Sequence, residues 1–253
     1  MISIIVPSIR PEGLRKLVNT IDNSLCELFN LIVVSPFEID VQKTSLMSSY
    51  TNIIDKGSPS RCLQRGISLV EDDIFTWGTD DGVYFPNKLQ ECVSLLRSKT
   101  EKDGIIVKYT EEGPGTFTGA CDEYYVAKYH EANRQPGINP DWKTAPVGMF
   151  YTSYFKNIGG IDVRFEHINM NVHDYCYRSQ NDGGILYYSD GIVMHCNSNN
   201  FGSDHAILDD AYLKNDLPLF VDLYKDTSRP IKIKFEWENS PEVWRRYASS
   251  SNG

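Results

Sequence analysis

Short apolar runs alternate with amphipathic stretches along roughly the first 110 residues of the chain. The run at 2–6 is continuous and β-branched, which is typical of strands covered on both faces in a parallel sheet. Between such runs apolar residues recur at helical spacing, and Pro11 and the pair Ser58-Pro59 stand where helices begin. The pattern predicts strands at 2–6, 29–34, 50–54, 74–77 and 104–109, and helices that begin at Pro11, Pro59 and Pro86.

This alternation of strands and helices predicts an α/β fold with a mostly parallel sheet and helices on both faces. Residues 111–142 have no sustained period and form either a long loop or a small irregular subdomain, whose aromatic residues line an acceptor cleft or pack the loop onto the sheet. We expect a main domain at 1–215 and a C-terminal extension at 216–253 packed on it. Further predicted elements are strands at 147–151, 185–188, 192–195 and 231–235, and helices at 153–158 and 172–179.

Net charge, cysteine spacing and the length of apolar runs argue against several classes of protein. A formal net charge of -9 over 253 residues disfavours a nucleic-acid-binding face and anionic membranes. The six cysteines include no Cys-x-x-Cys pair, so neither a zinc cage nor a disulfide framework is indicated. No apolar stretch is long enough to cross a bilayer, and the first residues do not form a signal peptide. We therefore expect a soluble, cytoplasmic protein.

Two adjacent carboxylates, Asp80 and Asp81, follow the apolar run at 74–77. Open α/β sheets place ligand chemistry at the carboxyl ends of their strands. Two acids this close repel unless solvent, an arginine, a lysine or a metal ion offsets them, and Mg²⁺ or Mn²⁺ held together with substrate phosphates is a common solution. The alternative is an Asp-Asp-Gly turn that joins two elements, and the pair alone leaves both open.

Four motifs occur in a fixed order. They are Pro7-Ser8-Ile9-Arg10 after the first strand, Asp80-Asp81 with Pro86 and Leu89 downstream, Gly159-Gly160-Ile161-Asp162 followed by Asp174 and Arg178, and a strand that ends in His195. As an ordered set, over residues 2–195, they resemble the family 2 glycosyltransferases of the GT-A fold. The resemblance implies a Rossmann-like sheet with an irregular acceptor side, and transfer of a sugar, with inversion, from a nucleotide-diphosphate donor to a hydroxyl.

The resemblance also implies roles for the acids and the histidine. Asp81 would hold Mn²⁺ or Mg²⁺, Asp80 would hold the ribose or the same metal, and His195 would be a further metal ligand. The alternative for His195 is a buried histidine hydrogen-bonded to backbone. Asp174 would accept the proton of the attacking hydroxyl as general base, although an acid on a helix surface is the alternative. His173 stands where the family usually has a glutamate.

Donor binding is implied for Pro7, Ser8, Arg10 and Asp80. The family's acids after the second strand are replaced by 35–40, which leaves Glu38 or Asp55 to accept hydrogen bonds from the nucleoside. Arg61 would approach the diphosphate, together with Arg65, or both are solvated helix side chains. Gly78 and Gly82 occupy positions where relatives of the family carry acids.

Two other functions stay open at this point. A sugar-phosphate nucleotidyltransferase shares the sheet and the metal-bound phosphates, but such enzymes open with a glycine-rich basic loop that residues 7–13 lack. A catalytically silent nucleotide-sugar-binding module is kept open by the missing acids after the second strand and by His173. The sequence leaves undetermined whether the donor is UDP- or GDP-linked, and whether the acceptor is a carbohydrate or another hydroxyl compound.

Overall fold

The computed structural model describes residues 1–112, 135–197, 203–226 and 229–248. Its strands are β1 (Ile2–Pro7), β2 (Phe29–Ser35), β3 (Met47–Ile54), β4 (Ile74–Trp77), β5 (Gly82–Tyr84), β6 (Gly104–Ile106), β7 (Tyr109–Glu112), β8 (Gly148–Tyr151), β9 (Leu186–Tyr188) and β10 (Met194–Asn197). Seven of them form one sheet in the order β3-β2-β1-β4-β8-β6-β9. Within it only β8 runs antiparallel to its neighbours, β4 and β6. The mostly parallel α/β fold predicted from the alternation is confirmed.

Helices connect these strands. They are α1 (Pro11–Ser24), α2 (Pro59–Ser68), α3 (Lys88–Arg97), α4 (Thr152–Asn157), α5 (Ile168–Asn181), α6 (Ser203–Ala211), α7 (Leu217–Tyr224) and α8 (Arg245–Ala248), with a π-helical turn at Tyr212–Asp216. The predicted starts of α1 and α2 are confirmed, since Pro11 is the first residue of α1 and the Ser58 hydroxyl accepts a hydrogen bond from Arg61 N at 3.2 Å. The third helix begins at Lys88 instead of Pro86, because the short strand β5 and a turn precede it.

The strand order reverses at β1. After β1 the chain continues to β2 and β3 on one side, and it then returns through α2 to β4 on the other side. Hence the loops that follow β1 and β4 meet at the carboxyl edge of the sheet, where open α/β sheets bind ligands. Both strands lie in the core, since Ile4 and Ile5 of β1 and Phe75 of β4 are fully buried.

A second sheet of three strands, in the order β5-β10-β7, follows this edge. It was not predicted as a unit, because strands of three or four residues give little periodic signal. The strand predicted at 192–195 is β10, shifted toward the C-terminus. The edge strand β5 of this small sheet begins at Gly82, directly after the loop that follows β4.

The prediction of a strand at 231–235 is wrong. Although its residues alternate in polarity, they form no ladder in the structure. Instead, Ile233 N donates to Ile158 O at 3.1 Å, and Ile231 O accepts from Arg178 Nη1 at 3.0 Å. The segment therefore lies across the turn between α4 and α5.

The C-terminal residues 229–248 pack back onto the sheet domain. Trp244 N donates to Lys56 O at 2.8 Å, and the Arg245 guanidinium pairs with Glu166. The predicted boundary between 215 and 216 lies within a continuous helical stretch at 203–224, and the division into two parts stays a prediction. None of the helices in the described ranges is both long and apolar enough to cross a membrane.

Candidate active site

Asp80 closes the loop that follows β1. Its Oδ2 accepts hydrogen bonds from the Ser8 hydroxyl at 3.1 Å and from the backbone N–H groups of Ile9 and Arg10, both at 2.8 Å. Its Oδ1 accepts from Arg10 Nη1 at 2.7 Å. Because Asp80 is only 5% exposed, these bonds lie in a poorly solvated setting where charge-assisted contacts are strong. Pro7, the last residue of β1, leads directly into this loop.

Helix α1 begins immediately after this loop and approaches the Asp80 backbone closely. A Cβ atom added to Gly13 would lie 1.8 Å from Asp80 O, so only glycine fits at this contact. The predicted donor residues Pro7, Ser8, Arg10 and Asp80 are thus brought together in one constellation, with the N-terminus of α1 beside them. Their contact with a donor stays a prediction.

Asp81 lies near enough to Glu111 for its charge to act on the Glu111 carboxyl. Burial raises the pKa of the Asp81 carboxyl, and the charge of Asp80 adds to the rise, while a hydrogen bond from Thr79 and the charge of Arg10 oppose it. Burial and the charge of Asp81 raise the pKa of the Glu111 carboxyl. The strand register places Cys196 opposite both Gly82 and Glu111, so the two acids flank β10.

Sequence reasoning missed Glu111. It falls at the start of a stretch without periodicity, and only the pairing of β7 with β10 brings it near Asp81. No local motif could have identified it.

His195 lies in β10 and faces away from this pair of acids. It pairs with Val83 and Thr110, and its Nδ1 lies 2.9 Å from the Thr110 hydroxyl. Successive residues of a strand point to opposite faces, so His195 and Cys196 lie on different sides of the small sheet. Within the described ranges no group of three or more His, Cys, Asp or Glu side chains is placed to hold a metal ion. The metal roles of Asp80, Asp81 and His195 stay predictions.

Asp174 is buried in the middle of α5 and has no exposed surface. Its Oδ2 accepts from Arg178 Nε at 2.8 Å, and its Oδ1 accepts from Arg229 Nε at 2.8 Å and from the Tyr224 hydroxyl at 3.0 Å. A general base must reach the proton that it removes. In this structure the carboxylate faces two guanidiniums and a phenol instead of open space, and its role as base stays a prediction.

Asp55 and Arg61 lie together at the end of β3. Asp55 accepts from Arg61 Nε at 3.1 Å and from Arg65 Nη1 at 2.6 Å, while Arg61 Nη1 donates at 2.9 Å to the carbonyl groups of both Trp237 and Ser240. These contacts attach the C-terminal segment to the sheet domain. Glu38 lies apart from them, exposed in the loop after β2. The predicted donor contacts of Glu38, Asp55 and Arg61 are untested by this geometry.

The mostly parallel sheet, with its strand order reversed at β1, resembles the fold of the family 2 glycosyltransferases, and similarity to known proteins agrees. The chain is 26% identical over 113 residues to an uncharacterized glycosyltransferase of Rickettsia typhi and 27% identical over 113 residues to one of Rickettsia prowazekii, in each case over 42% of this chain and 35% of the relative. The matched segment thus spans about a third of the length of these relatives. No protein-family model matches the chain.

Solved structures of TarS from S. aureus have the same fold. The structure of TarS residues 1–349 superposes with a TM-score of 0.55 at 12% identity, over 84% of this chain and 72% of that chain. The complex of TarS 1–349 with UDP-GlcNAc superposes with a TM-score of 0.53 at 13% identity, over 79% of this chain and 59% of that chain. The predicted resemblance to the GT-A glycosyltransferases is confirmed at the level of the fold.

Proposed function

We propose that this protein transfers a sugar from a nucleotide-diphosphate-sugar donor to an acceptor hydroxyl, with inversion at the anomeric carbon and dependence on a divalent metal. The observation that carries the proposal is the Asp80 carboxylate, which holds the loop after β1 through Ser8, Ile9 and Arg10 at the point where the strand order reverses. The likeness to TarS, a protein solved with UDP and with UDP-GlcNAc, supports a nucleotide sugar as the donor.

The loop and α1 would bind the donor diphosphate. The first turn of a helix presents unpaired backbone N–H groups and a partial positive charge, which favour phosphate. Arg10 adds a guanidinium that is 27% exposed on its side chain, while its Nη1 bond to Asp80 fixes its direction. Because this contact orients the arginine before the donor arrives, little side-chain entropy is lost on binding.

Asp81 and Glu111 fit a divalent cation better than the predicted set of Asp80, Asp81 and His195 does. Burial raises the pKa of both carboxyls, and the charge of Asp81 raises that of Glu111 further, so a bound cation would favour the charged form of each. Carboxylate oxygens are ligands that Mg²⁺ and Mn²⁺ accept, while Asp80 already accepts hydrogen bonds on both of its oxygens. The metal would supply positive charge beside the departing diphosphate.

Asp174 is the proposed base, and it can act as one only if a neighbouring side chain moves. An acceptor hydroxyl can reach the carboxylate only if Arg229 or Tyr224 moves, because both donate to Oδ1. The same contacts favour the second candidate function, a nucleotide-sugar-binding module without turnover. Measuring donor binding and released nucleoside diphosphate on one sample separates the two functions.

A thermal-shift experiment with UDP- and GDP-linked sugars, each with and without Mn²⁺, tests donor binding. A donor at about a hundred times its Kd stabilises the fold by about 2.7 kcal/mol, which raises the Tm by about 5–10 °C for a chain of this size. Arg10→Ala should abolish this shift, whereas the control Arg97→Ala, which removes a surface arginine paired with Glu27, should retain it. If no nucleotide sugar stabilises the protein in the presence of Mn²⁺, the proposed function is wrong.

A further inference from the structure

A cavity of about 280 Å³ lies beside the C-terminal half of α5, and we call it the α5 pocket. None of its lining residues belongs to the loop after β1 or to the loop after β4, so it is separate from the proposed donor site. Its volume is near the lower end of the range for small-molecule sites, which suits one ring-sized unit better than an extended chain. The residues that line it and carry the argument are Asn139, Trp142, Tyr177, Asn181, Tyr224 and Arg229.

Arg229 brings hydrogen-bond donors into this pocket. Its side chain is only 7% exposed, and its Nε and Nη2 donate to Asp174 and Asp162. Across the described ranges, its Nη1 has no hydrogen-bond partner. Because Arg229 lines the pocket, a ligand acceptor placed there could accept a charge-assisted hydrogen bond from this nitrogen.

The charges around Arg229 favour an anionic group. Asp162 and Asp174 are paired with three guanidiniums, those of Arg164, Arg178 and Arg229, so the cluster holds one positive charge in excess. Among the residues that line the pocket there are two arginines and no carboxylate. Guanidinium groups bind carboxylate and phosphate through charge-assisted hydrogen bonds, and burial strengthens that interaction.

Aromatic rings form the apolar wall of the pocket. The rings of Trp142 and Tyr177 are 5.8 Å apart at 30°, and those of Tyr177 and Tyr224 are 5.9 Å apart at 83°. Rings packed against each other in this way are fixed in place before a ligand binds. Asn139 and Asn181, both exposed, add amide groups at the rim, which can donate to and accept from hydroxyls. An apolar face, a polar rim and one cationic donor suit a sugar ring that carries an acid.

We propose that the α5 pocket binds an acidic monosaccharide unit, with its carboxylate or phosphate on Arg229 Nη1 and one face of its ring against Trp142. That this unit is part of the acceptor rests on the proposed function, whereas its binding does not. Whatever its part in transfer, Asp174 also orients Arg229, because the hydrogen bond from Arg229 Nε to its Oδ1 fixes the direction of the guanidinium.

The test is calorimetric titration of the full chain with glucuronate, glucose 6-phosphate and glucose at one ionic strength. We expect saturable binding of at least one of the two acids, and at least tenfold weaker binding of glucose. The acid that binds identifies the anionic group as carboxylate or phosphate. Equal binding of glucose and the acids, or binding of neither acid, would overturn the proposal.

Substitution of Trp142 locates the binding. Trp142→Leu should weaken binding of the acid at least tenfold, whereas Trp237→Leu, which alters a tryptophan that stacks with Arg61 and Arg65 outside the pocket, should leave it unchanged. Undiminished binding in Trp142→Leu would contradict the assignment. Thermal shift by nucleotide sugars on the same samples reports the donor site separately, so failure of the pocket and failure of the proposed function are distinguishable.

Discussion

Arg10 Nη1 lies 2.7 Å from Asp80 Oδ1 and joins the loops that follow β1 and β4 at the carboxyl edge of the sheet. The two residues are 70 positions apart in the chain, and adjacent parallel strands bring them together. The contact both shapes the loop and fixes the direction of the guanidinium. It therefore couples the stability of this edge to its proposed affinity for a donor.

Asp80→Asn should lower both stability and donor binding. The asparagine keeps one acceptor oxygen but loses the charge that pairs with Arg10, so we expect the free energy of unfolding to fall by about 3 kcal/mol. Urea unfolding measures this change, and the thermal shift by nucleotide sugars measures the loss of binding. The control Glu101→Gln, at an exposed position, should change neither. A variant as stable as the wild type would show that the loop does not depend on this carboxylate.

Asp174→Asn separates a buried ion-pair role from a catalytic one. Removing the charge leaves Arg178 and Arg229 with one fewer carboxylate in a fully buried setting, and we expect a loss of about 3–5 kcal/mol in the free energy of unfolding. Asp222→Asn, on the exposed face of α7, is the control and should be nearly neutral. If Asp174→Asn instead kept full stability and donor binding but lost transfer, Asp174 would be the base and not a structural acid.

Much of the fold could be predicted because the strands next to β1 are continuous apolar runs. The run at 2–6 and Pro11 are strong local signals, and they correspond to β1 and the first residue of α1. The sequence placed Ser8, Arg10 and Asp80 after predicted strands, and the resemblance implied donor contacts for all three, but their hydrogen bonds to one another are seen only in the structure. Local patterns failed at 231–235, where the alternation reflects packing across the turn between α4 and α5.

The rest of the site depends on contacts between distant residues that no local pattern reveals. Arg229 donates to Asp174 across 55 positions, and the pairing of β7 with β10 brings Glu111 near Asp81. The motif around Asp174 gave its place on a helix but not the direction of its side chain, which is set by Arg178 on the next turn. The sequence therefore could not show that the Asp174 carboxylate is fully buried and pairs with two arginines.

Asp216 should make stability depend on pH. Burial raises the pKa of its carboxyl to about 6, although hydrogen bonds from the backbone N–H groups of Glu166 and His167 oppose the rise. Because the folded pKa lies above the unfolded one, this group adds stability at low pH and loses it as pH rises through about 6. A shift of about two units corresponds to about 3 kcal/mol between pH 4 and pH 7.

Urea unfolding of Asp216→Asn beside the wild type measures this contribution. The variant lacks the titrating carboxyl, so the difference in free energy of unfolding between the two proteins should change between pH 4 and pH 7 by about that amount. Glu27, whose pKa is lowered to about 2 chiefly by its hydrogen bond with Arg97, acts in the opposite direction, but it is present in both proteins and cancels. A difference that is constant with pH would contradict the prediction.

Arg61→Lys should loosen the C-terminal segment. Arg61 and Arg65 both pair with Asp55, but only Arg61 also donates to the carbonyl groups of Trp237 and Ser240. A lysine has one nitrogen, so it cannot pair with Asp55 as Nε does and reach both carbonyl groups as Nη1 does at the same time. We expect the amide of Trp244, which donates to Lys56 O, to exchange with deuterium at least tenfold faster in Arg61→Lys. Arg65→Lys is the matched control, because its side chain is 29% exposed, and its exchange should match that of the wild type. Equal acceleration in both variants would mean that the shared pairing with Asp55, and not the two carbonyl contacts, holds the segment in place.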